Sequence, residues 1–433
     1  MCNNNGACRN HVGNVMCPSY RVTRDERDVT RGRANSLRLA ISGQLGPGAL
    51  TSDDMAETMK LCVSCKGCRR ECPTGVDMAR MKIEVLAARA AERGFSLRDR
   101  LVGWLPRYAP YAARVPWLFN LRDALPGAAK LSEALAGFSA QRRLPKWRSD
   151  IFTNPTPPSW PDLIRPSSAA VAVSDHLDAR VKPAHEGREV VLFADTFNRY
   201  FERENLDAAV AVLQAAGYRV HVAKAEGDKR PLCCGRTFLS IGAVEKAREE
   251  AERTLQALMP YVSRGVPIVG LEPSCIFGFR DEIPALVKSD AARRLASHVL
   301  LFEEFMARET AAGRLKLSLK RIAERALLHG HCHQKAFGAM SAVQQTLQLV
   351  PGLEVETVES SCCGMAGHFG YGADTIDVSL AMGELSLLPA VRNAAPDTIV
   401  VADGTSCREQ IGHGTGRAAI HVARVLAISL DTD

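Results

Sequence analysis

No stretch of this 433-residue sequence approaches the roughly 18 unbroken apolar residues of a membrane-spanning helix. No basic, apolar, small-residue leader precedes Cys2 either, so the chain is expected in the cytoplasm, at most on the inner face of the membrane. A dense Lys/Arg tract is missing too. The net charge of +7 comes from 55 basic and 48 acidic side chains spread along the chain, which argues against a nucleic-acid partner. No G-x-G-x-x-G follows an expected strand, and there is no Walker-type lysine loop and no G-x-S-x-G elbow, so no nucleotide site is expected in the chain itself. Hydrophobic residues at 46% and charged residues at 24% exclude disorder as the general state and allow a large core. A prior of about 150 residues per domain then suggests roughly three units.

Cysteine is what the sequence has in abundance. Its 14 cysteines fall into three groups: Cys2, Cys8, Cys17, Cys62, Cys65, Cys68 and Cys72; Cys233, Cys234 and Cys275; and Cys332, Cys362, Cys363 and Cys407. Thiols in a reducing compartment stay reduced, and patterned ones there bind metal or do redox chemistry.

The run Cys62-Val-Ser-Cys65-Lys-Gly-Cys68-Arg-Arg-Glu-Cys72-Pro73 fits C-x2-C-x2-C-x3-C-P, in which three close thiolates wrap a 4Fe-4S cluster and the fourth serves a second cluster. Zinc sites usually pair two C-x2-C knuckles without the C-P tail. Cys2, Asn5 and Cys8, followed by Cys17-Pro18, supply the other half. Cross-ligation predicts one 4Fe-4S cluster on Cys62, Cys65, Cys68 and Cys17. It leaves Cys2, Cys8 and Cys72 for a second, with Asn5 at the missing-Cys place, so that cluster is expected to be 3Fe-4S or a 4Fe-4S cube with one labile iron. An empty, vestigial Cys2 motif is the alternative.

Four units follow. Residues 1–92 read as an α-helical ferredoxin-like domain, with a helix from Asp77 to Ala91. Residues 93–187 read as a Pro-rich helical spacer, interrupted at Pro106, Pro110 and Pro116 and ending in a linker after Pro155. Its Trp104, Tyr108, Tyr111, Trp117 and Phe119 suit either packing over the ferredoxin unit or a surface against a membrane or flavoprotein. Residues 188–315 and 316–433 each alternate β-rich runs with helices and carry a Cys-Cys-Gly turn, which predicts a pseudo-twofold duplicated α/β domain. In the second repeat, Cys332 and Cys407 each follow an expected strand and, with Cys362 and Cys363 on the turn between them, are expected to converge on a centre holding iron-sulfur or zinc. Adjacent cysteines reach one metal only from an irregular turn, which Gly364 permits. His329, His331, His333 and His368 are nearby, as ligands, proton donors or supporting groups. The first repeat keeps Cys233, Cys234 and Cys275, but Thr196-Phe-Asn198 stands where Cys332 would be; its three thiols form either a weaker site or a structural remnant.

The segments Met16-Cys-Pro-Ser-Tyr20, Thr30-Arg-Gly-Arg-Ala-Asn35, Leu192-Phe-Ala-Asp-Thr-Phe-Asn198, Leu232-Cys-Cys-Gly-Arg236, Leu271-Glu-Pro-Ser-Cys275, His331-Cys-His-Gln334, Cys362-Cys-Gly364 and Gly404-Thr-Ser-Cys407 carry a resemblance. They are similar to the iron-sulfur half of FAD-linked 2-hydroxyacid dehydrogenases of the D-lactate and D-2-hydroxyglutarate type. The chain also resembles the glycolate oxidase iron-sulfur subunit and the Cys-Cys-Gly module of heterodisulfide reductases. The resemblance implies a relay from FAD, held by a partner chain or a missing N-terminal domain, to a quinone, a cytochrome or another carrier. Two other roles stay open: a thiol/disulfide redox enzyme of the heterodisulfide reductase kind, and a zinc-bound assembly module.

Overall fold

The computed structural model describes residues 4–10, 15–153, 187–228 and 230–431. The N-terminal unit is helical: α1 (Pro18–Thr23), α2 (Thr30–Ile41), α3 (Asp53–Lys60), α4 (Gly67–Glu71) and α5 (Met78–Arg93). Helix α5 forms where the sequence predicts it. Asp77 caps its start by accepting from Arg80 N, and Gly94 ends it at a φ of 74°, in the left-handed range that glycine tolerates. Met16, Val29, Leu37, Met59, Met78 and Val85 form a small core around Cys8, Cys17 and Cys68. Arg33 is buried within it, donating to Thr58 O (3.0 Å) and Asp28 O (2.6 Å) and pairing with Asp28. A buried guanidinium needs this full set of acceptors.

The spacer folds as α6 (Leu97–Gly103), α7 (Leu105–Ala112), α8 (Pro116–Ala124) and α9 (Ala128–Ala136). Pro116 sits at the first turn of α8, where its missing N–H costs nothing, whereas Pro110 lies inside α7 rather than ending it. The aromatics divide into two sets. Trp104 packs edge-on against Phe238 and Phe95 and shares a cluster with Ile83 of α5, while Tyr108 and Phe119 gather around Trp147, which meets Phe201, so these rings lean on the first α/β unit as well as on the ferredoxin side. Tyr111 and Trp117 stay in solvent. Packing over the ferredoxin unit alone is therefore the wrong description. The linker at 154–186 lies outside the described residues.

Two small parallel sheets follow. Strands β1 (Glu189–Phe193), β2 (Arg219–His221), β3 (Ile268–Gly270) and β4 (Val299–Leu301) run in the order β2-β1-β3-β4. Strands β5 (Arg325–Leu328), β6 (Glu354–Thr357) and β7 (Ile399–Val401) run β6-β5-β7. Ile420 adds one parallel bridge beyond β7. The registers are Val190 opposite Val220 and Leu192 opposite Val269 in one sheet, and Ala326 opposite Val355 and Ile399 in the other.

Alternation along the strands assigns the faces. Val190 and Leu192 of β1 and Ala326 and Leu328 of β5 enter one shared core between the sheets, while Val191 and Phe193 face a second core and Leu327 a third. Helix Arg203–Ala215 packs on Val422–Ser429, and Met340–Leu347 on Phe302–Ala311. Burial on both faces is the expected state of parallel sheets, and it leaves the strand ends as places to gather polar ligands.

Candidate metal centres

The loops that carry the ferredoxin cysteines are bent by left-handed residues that are not glycine: Cys17 at φ 53°, Ser64 at 52° and Lys66 at 61°. Such conformations are costly and persist where the surroundings fix them. Here they turn Cys17, Cys62, Cys65 and Cys68 onto one cavity, which Thr30, Arg33 and Met78 also line. Three of these sulfurs are buried, and Cys62 is half-buried. Thr30 N donates to Cys17 Sγ (3.1 Å) and Met78 N to Cys68 Sγ (3.4 Å). Burial pushes the Cys17 thiol up to about 11 and the Cys68 thiol up to about 12. Thiolates are thus unfavourable here without a cation, while amide donors already point at sulfur. This donor set fits an iron-sulfur cluster.

A second cavity brings Asn5, Cys8 and Cys72 together with Arg31 and Val76. Asn5 Oδ1 accepts from Ala7 N (3.1 Å), so its amide oxygen already supports the turn that presents Cys8. Cys2 lies outside the described residues. The two cysteine segments are clipped together by Glu71, whose carboxylate accepts from Val15 N (2.7 Å) and Met16 N (2.9 Å).

In the second α/β unit the four predicted cysteines converge. Their sulfurs touch in sequence, Cys332 to Cys362, Cys362 to Cys363 and Cys363 to Cys407. Gly364 makes the adjacent pair possible: its φ is 88°, and a Cβ there would lie 2.2 Å from Ser379 O. His329 joins them, with one ring nitrogen and the sulfurs of Cys363 and Cys407 all within 4.8 Å of one another. Its Nδ1 bonds Ser360 Oγ (3.0 Å), and its buried Nε2 has no hydrogen-bond partner. Burial pushes the imidazole down to about 4, which keeps it neutral and able to offer a lone pair.

The other histidines do different work. His331 Nδ1 caps the helix that begins at Cys332 by accepting from His333 N (3.1 Å). His333 Nε2 hydrogen-bonds Ser64 O (3.0 Å) in the ferredoxin loop. His368 is half-buried among Lys82, Arg98 and Asp374.

The first α/β unit holds a shorter chain of sulfurs. Cys233 meets Cys234, and Cys234 lies 3.0 Å from Cys275. Ala194 follows its central strand where His329 follows β5, and Asp195 caps the next helix where His331 does. The Asp195 carboxylate is already occupied by Phe197 N, Asn198 N and Asn198 Nδ2. Among the described residues, no fourth donor faces these three thiols from that strand end.

Three features escaped sequence reasoning. Lys66, inside the cysteine loop, is fully buried against Asp77 (3.0 Å), Asp281 (2.7 Å) and Glu282 (3.2 Å); burial opposes its charge, but the three carboxylates outweigh it and raise its pKa. Glu282 also binds Arg236 (2.6 Å), the residue after Cys233-Cys234-Gly235. On the opposite side of the loop, Val63 and Cys65 pack in one apolar cluster with Cys332, Cys362, Cys363 and Cys407. Finally, Glu303, Asp403 and His421 meet in full burial, with both Glu303 oxygens unpartnered. His421 Nδ1 accepts from Ala423 N, so Nε2 keeps its proton, donates it to Leu271 O (3.1 Å) and offers no lone pair to a metal.

Two thiolate-lined cavities in a helical unit, beside a third thiolate cluster at the ends of parallel strands, define an iron-sulfur protein. Comparison with known proteins agrees: residues 1–76 match the family model of a 4Fe-4S dicluster domain, and residues 326–412 that of a cysteine-rich domain. The chain is 27% identical to D-2-hydroxyglutarate dehydrogenase of Pseudomonas putida, over 98% of this chain and 42% of that protein. It is 28% identical to a subunit of the anaerobic glycerol-3-phosphate dehydrogenase of Escherichia coli, over 56% of this chain and 59% of that one. It is 22% identical to the glycolate oxidase iron-sulfur subunit of Escherichia coli, over 97% and 92%. The chain thus spans less than half the length of the D-2-hydroxyglutarate dehydrogenases it matches. The resemblance to the iron-sulfur part of FAD-linked hydroxyacid dehydrogenases stands, and iron-sulfur electron transfer is the role of this chain.

Proposed function

We propose that this chain is the electron-transfer subunit or part of an FAD-linked 2-hydroxyacid dehydrogenase acting on glycolate, D-lactate or D-2-hydroxyglutarate. FAD sits on a partner polypeptide or a further domain, and a quinone, a cytochrome or another carrier at the membrane takes the electrons. The observation that carries this reading is the shared packing of Cys65 and Cys332, which sets the ferredoxin thiols beside the Cys-Cys-Gly thiols in one buried apolar cluster.

Cys17, Cys62, Cys65 and Cys68 hold a 4Fe-4S cluster in this proposal, and Cys2, Cys8 and Cys72 hold the second, of 3Fe-4S or labile 4Fe-4S type beside Asn5. Cys332, Cys362, Cys363 and Cys407 hold a further centre with His329 as a candidate ligand; Cys233, Cys234 and Cys275 form the weakest site. Bound there, iron-sulfur clusters supply one-electron redox chemistry. The chain's own residues bury the thiols, aim Thr30 N and Met78 N at sulfur, and line the first cavity with Arg33 and Lys66, whose charges are met by Asp28 and by Asp77, Asp281 and Glu282.

The boundaries 1–92, 93–187, 188–315 and 316–433 and the pseudo-twofold duplication belong to the same reading. Supporting the duplication, each sheet is parallel with its first strand inside, each puts Cys-Cys-Gly after an edge strand, and the helix pairs Arg203–Ala215 with Val422–Ser429 and Met340–Leu347 with Phe302–Ala311 exchange between units.

The test is anaerobic reduction of the reconstituted chain. A flavoprotein supplied with a 2-hydroxyacid is expected to bleach the cluster absorbance; failure with every such acid sinks the assignment. The competing readings differ in the metal of the last centre. Zinc without sulfide at Cys332, Cys362, Cys363 and Cys407 supports the assembly module and removes redox chemistry there. Disulfide reduction that disappears in Cys363→Ser supports the heterodisulfide reductase reading.

A further inference from the structure

Among the described residues, most of the exposed large apolar side chains lie in the spacer. Of the fourteen exposed large hydrophobic side chains among the described residues, ten lie between Leu97 and Leu135. Tyr111, Trp117 and Leu135 are each about two-thirds exposed, at 66%, 65% and 67%, and helices α8 and α9 bury no residue fully. Leu131 and Leu135, four residues apart, share a face of α9, and Leu118 and Leu125 line the partner helix and its end. Exposed patches of this kind mark interaction sites.

Charge identifies the partner. Between residues 97 and 148 there are ten Lys or Arg and three Asp or Glu, a surplus of seven that equals the net +7 of the whole chain. Some of these cations are used internally, as in Arg98–Asp374, Arg107–Glu249 and Arg148–Glu204. Arg100, Arg114, Lys130, Arg143 and Lys146 are exposed and form no ion pair among the described residues; Arg114 lies instead over the Tyr111 ring. Exposed tryptophan, tyrosine and leucine interleaved along the chain with cations free of ion pairs are the composition of a surface that dips its apolar side chains into a bilayer while its cations meet anionic headgroups. No helix among the described residues is long and apolar enough to cross a membrane, so the contact is one of lying on the surface.

We infer that α7 to α9 form a monotopic docking surface for a bilayer carrying anionic lipids, with Trp117, Leu131 and Leu135 entering the headgroup boundary. It deepens the proposed delivery of electrons to an acceptor at the membrane, and it rests on that reading for its purpose but not for its measurement.

The experiment uses the full reconstituted chain, sedimented with vesicles of phosphatidylcholine alone or mixed with phosphatidylglycerol. Binding is expected to be at least about ten-fold tighter to the mixed vesicles and to fall as salt rises. Trp117→Glu with Leu131→Glu should weaken it about ten-fold or more, whereas Arg114→Gln with Lys130→Gln and Arg143→Gln should erase the preference for anionic lipid. Cluster absorbance and reduction by dithionite are read on every variant. They are expected to stay unchanged, so a failure to bind vesicles leaves the relay standing and a failure of the relay leaves vesicle binding standing. Absence of vesicle binding overturns the inference, as does equal binding by the Trp117→Glu, Leu131→Glu chain. A stable dimer that these two substitutions dissociate also overturns it, because a second copy then covers the face.

Discussion

The two parallel sheets carry the same Cys-Cys-Gly turn after the same edge strand, yet they offer different chemistry. Beyond β5 the chain supplies His329 and Cys332, which complete a ring of donors with Cys362, Cys363 and Cys407. Beyond β1 it supplies Ala194 and a capped, fully hydrogen-bonded Asp195. The units also grip the ferredoxin loop differently. The first holds Lys66 by charge, through Asp281 and Glu282; the second holds Val63 and Cys65 by apolar packing, with one hydrogen bond from His333 to Ser64 O. The first parallel-sheet unit thus serves as an electrostatic clamp on the ferredoxin loop, and the second as a neighbouring thiolate centre.

Removing one sulfur from each unit is the severest way to break this comparison. Cys363→Ser is expected to empty the second unit's centre and to cut electron transfer by about 100-fold or more, since even supporting groups are worth 10- to 100-fold. Cys234→Ser should leave iron content and rate nearly unchanged. Equal iron loss in both variants, by metal analysis, would make the units equivalent.

The clamp comes next. Lys66→Met leaves Glu282 and Asp281 buried with fewer partners, and denaturant unfolding should show a loss of about 3–5 kcal/mol. His333→Ala, which removes the hydrogen bond to Ser64 O together with the ring's packing on His331 and Phe337, should cost less, about 1–3 kcal/mol. His329→Ala sharpens the donor count: metal affinity of the second unit's centre, read by chelator competition, should fall about 10- to 100-fold while the ferredoxin sites keep theirs.

The smallest effect lies at the seam between the sheets. Burial, with Asp403 nearby, holds the Glu303 carboxyl well above the usual carboxylate range. The folded chain therefore keeps a proton that the unfolded chain releases, so this stability is present at acidic pH and lost as pH rises from the unfolded carboxyl value through the folded one. Glu303→Gln should remove that decline and gain on the order of 1 kcal/mol at neutral pH, measured by urea unfolding at acidic and neutral pH.

Much of this was legible in the sequence, because it is local. The C-x2-C-x2-C-x3-C-P spacing announces a cluster loop, Asp77 and Gly94 bracket α5, and the runs at Val190, Val266, Ala326 and Thr398 become β1, β3, β5 and β7, whereas the short edge strands β2 and β6 before the Cys-Cys-Gly turns were not legible. Less legible were the orphaned His329 Nε2, the Lys66 clamp and the exposed face of α8 and α9. Lys66 and Asp281 are 215 residues apart, and nothing near either one signals the other. Trp117 and Phe119 look alike in sequence, yet only Phe119 finds Tyr108 and Trp147 to pack against.

By itself the sequence determined the kind of chemistry, since thiolate number and spacing depend on chain geometry over a few residues. The tertiary structure alone decided which thiols share a cavity, which histidine faces sulfur and which apolar side chains stay in water. Those are matters of long-range packing, in which burial and partners come from segments that the chain brings together only on folding.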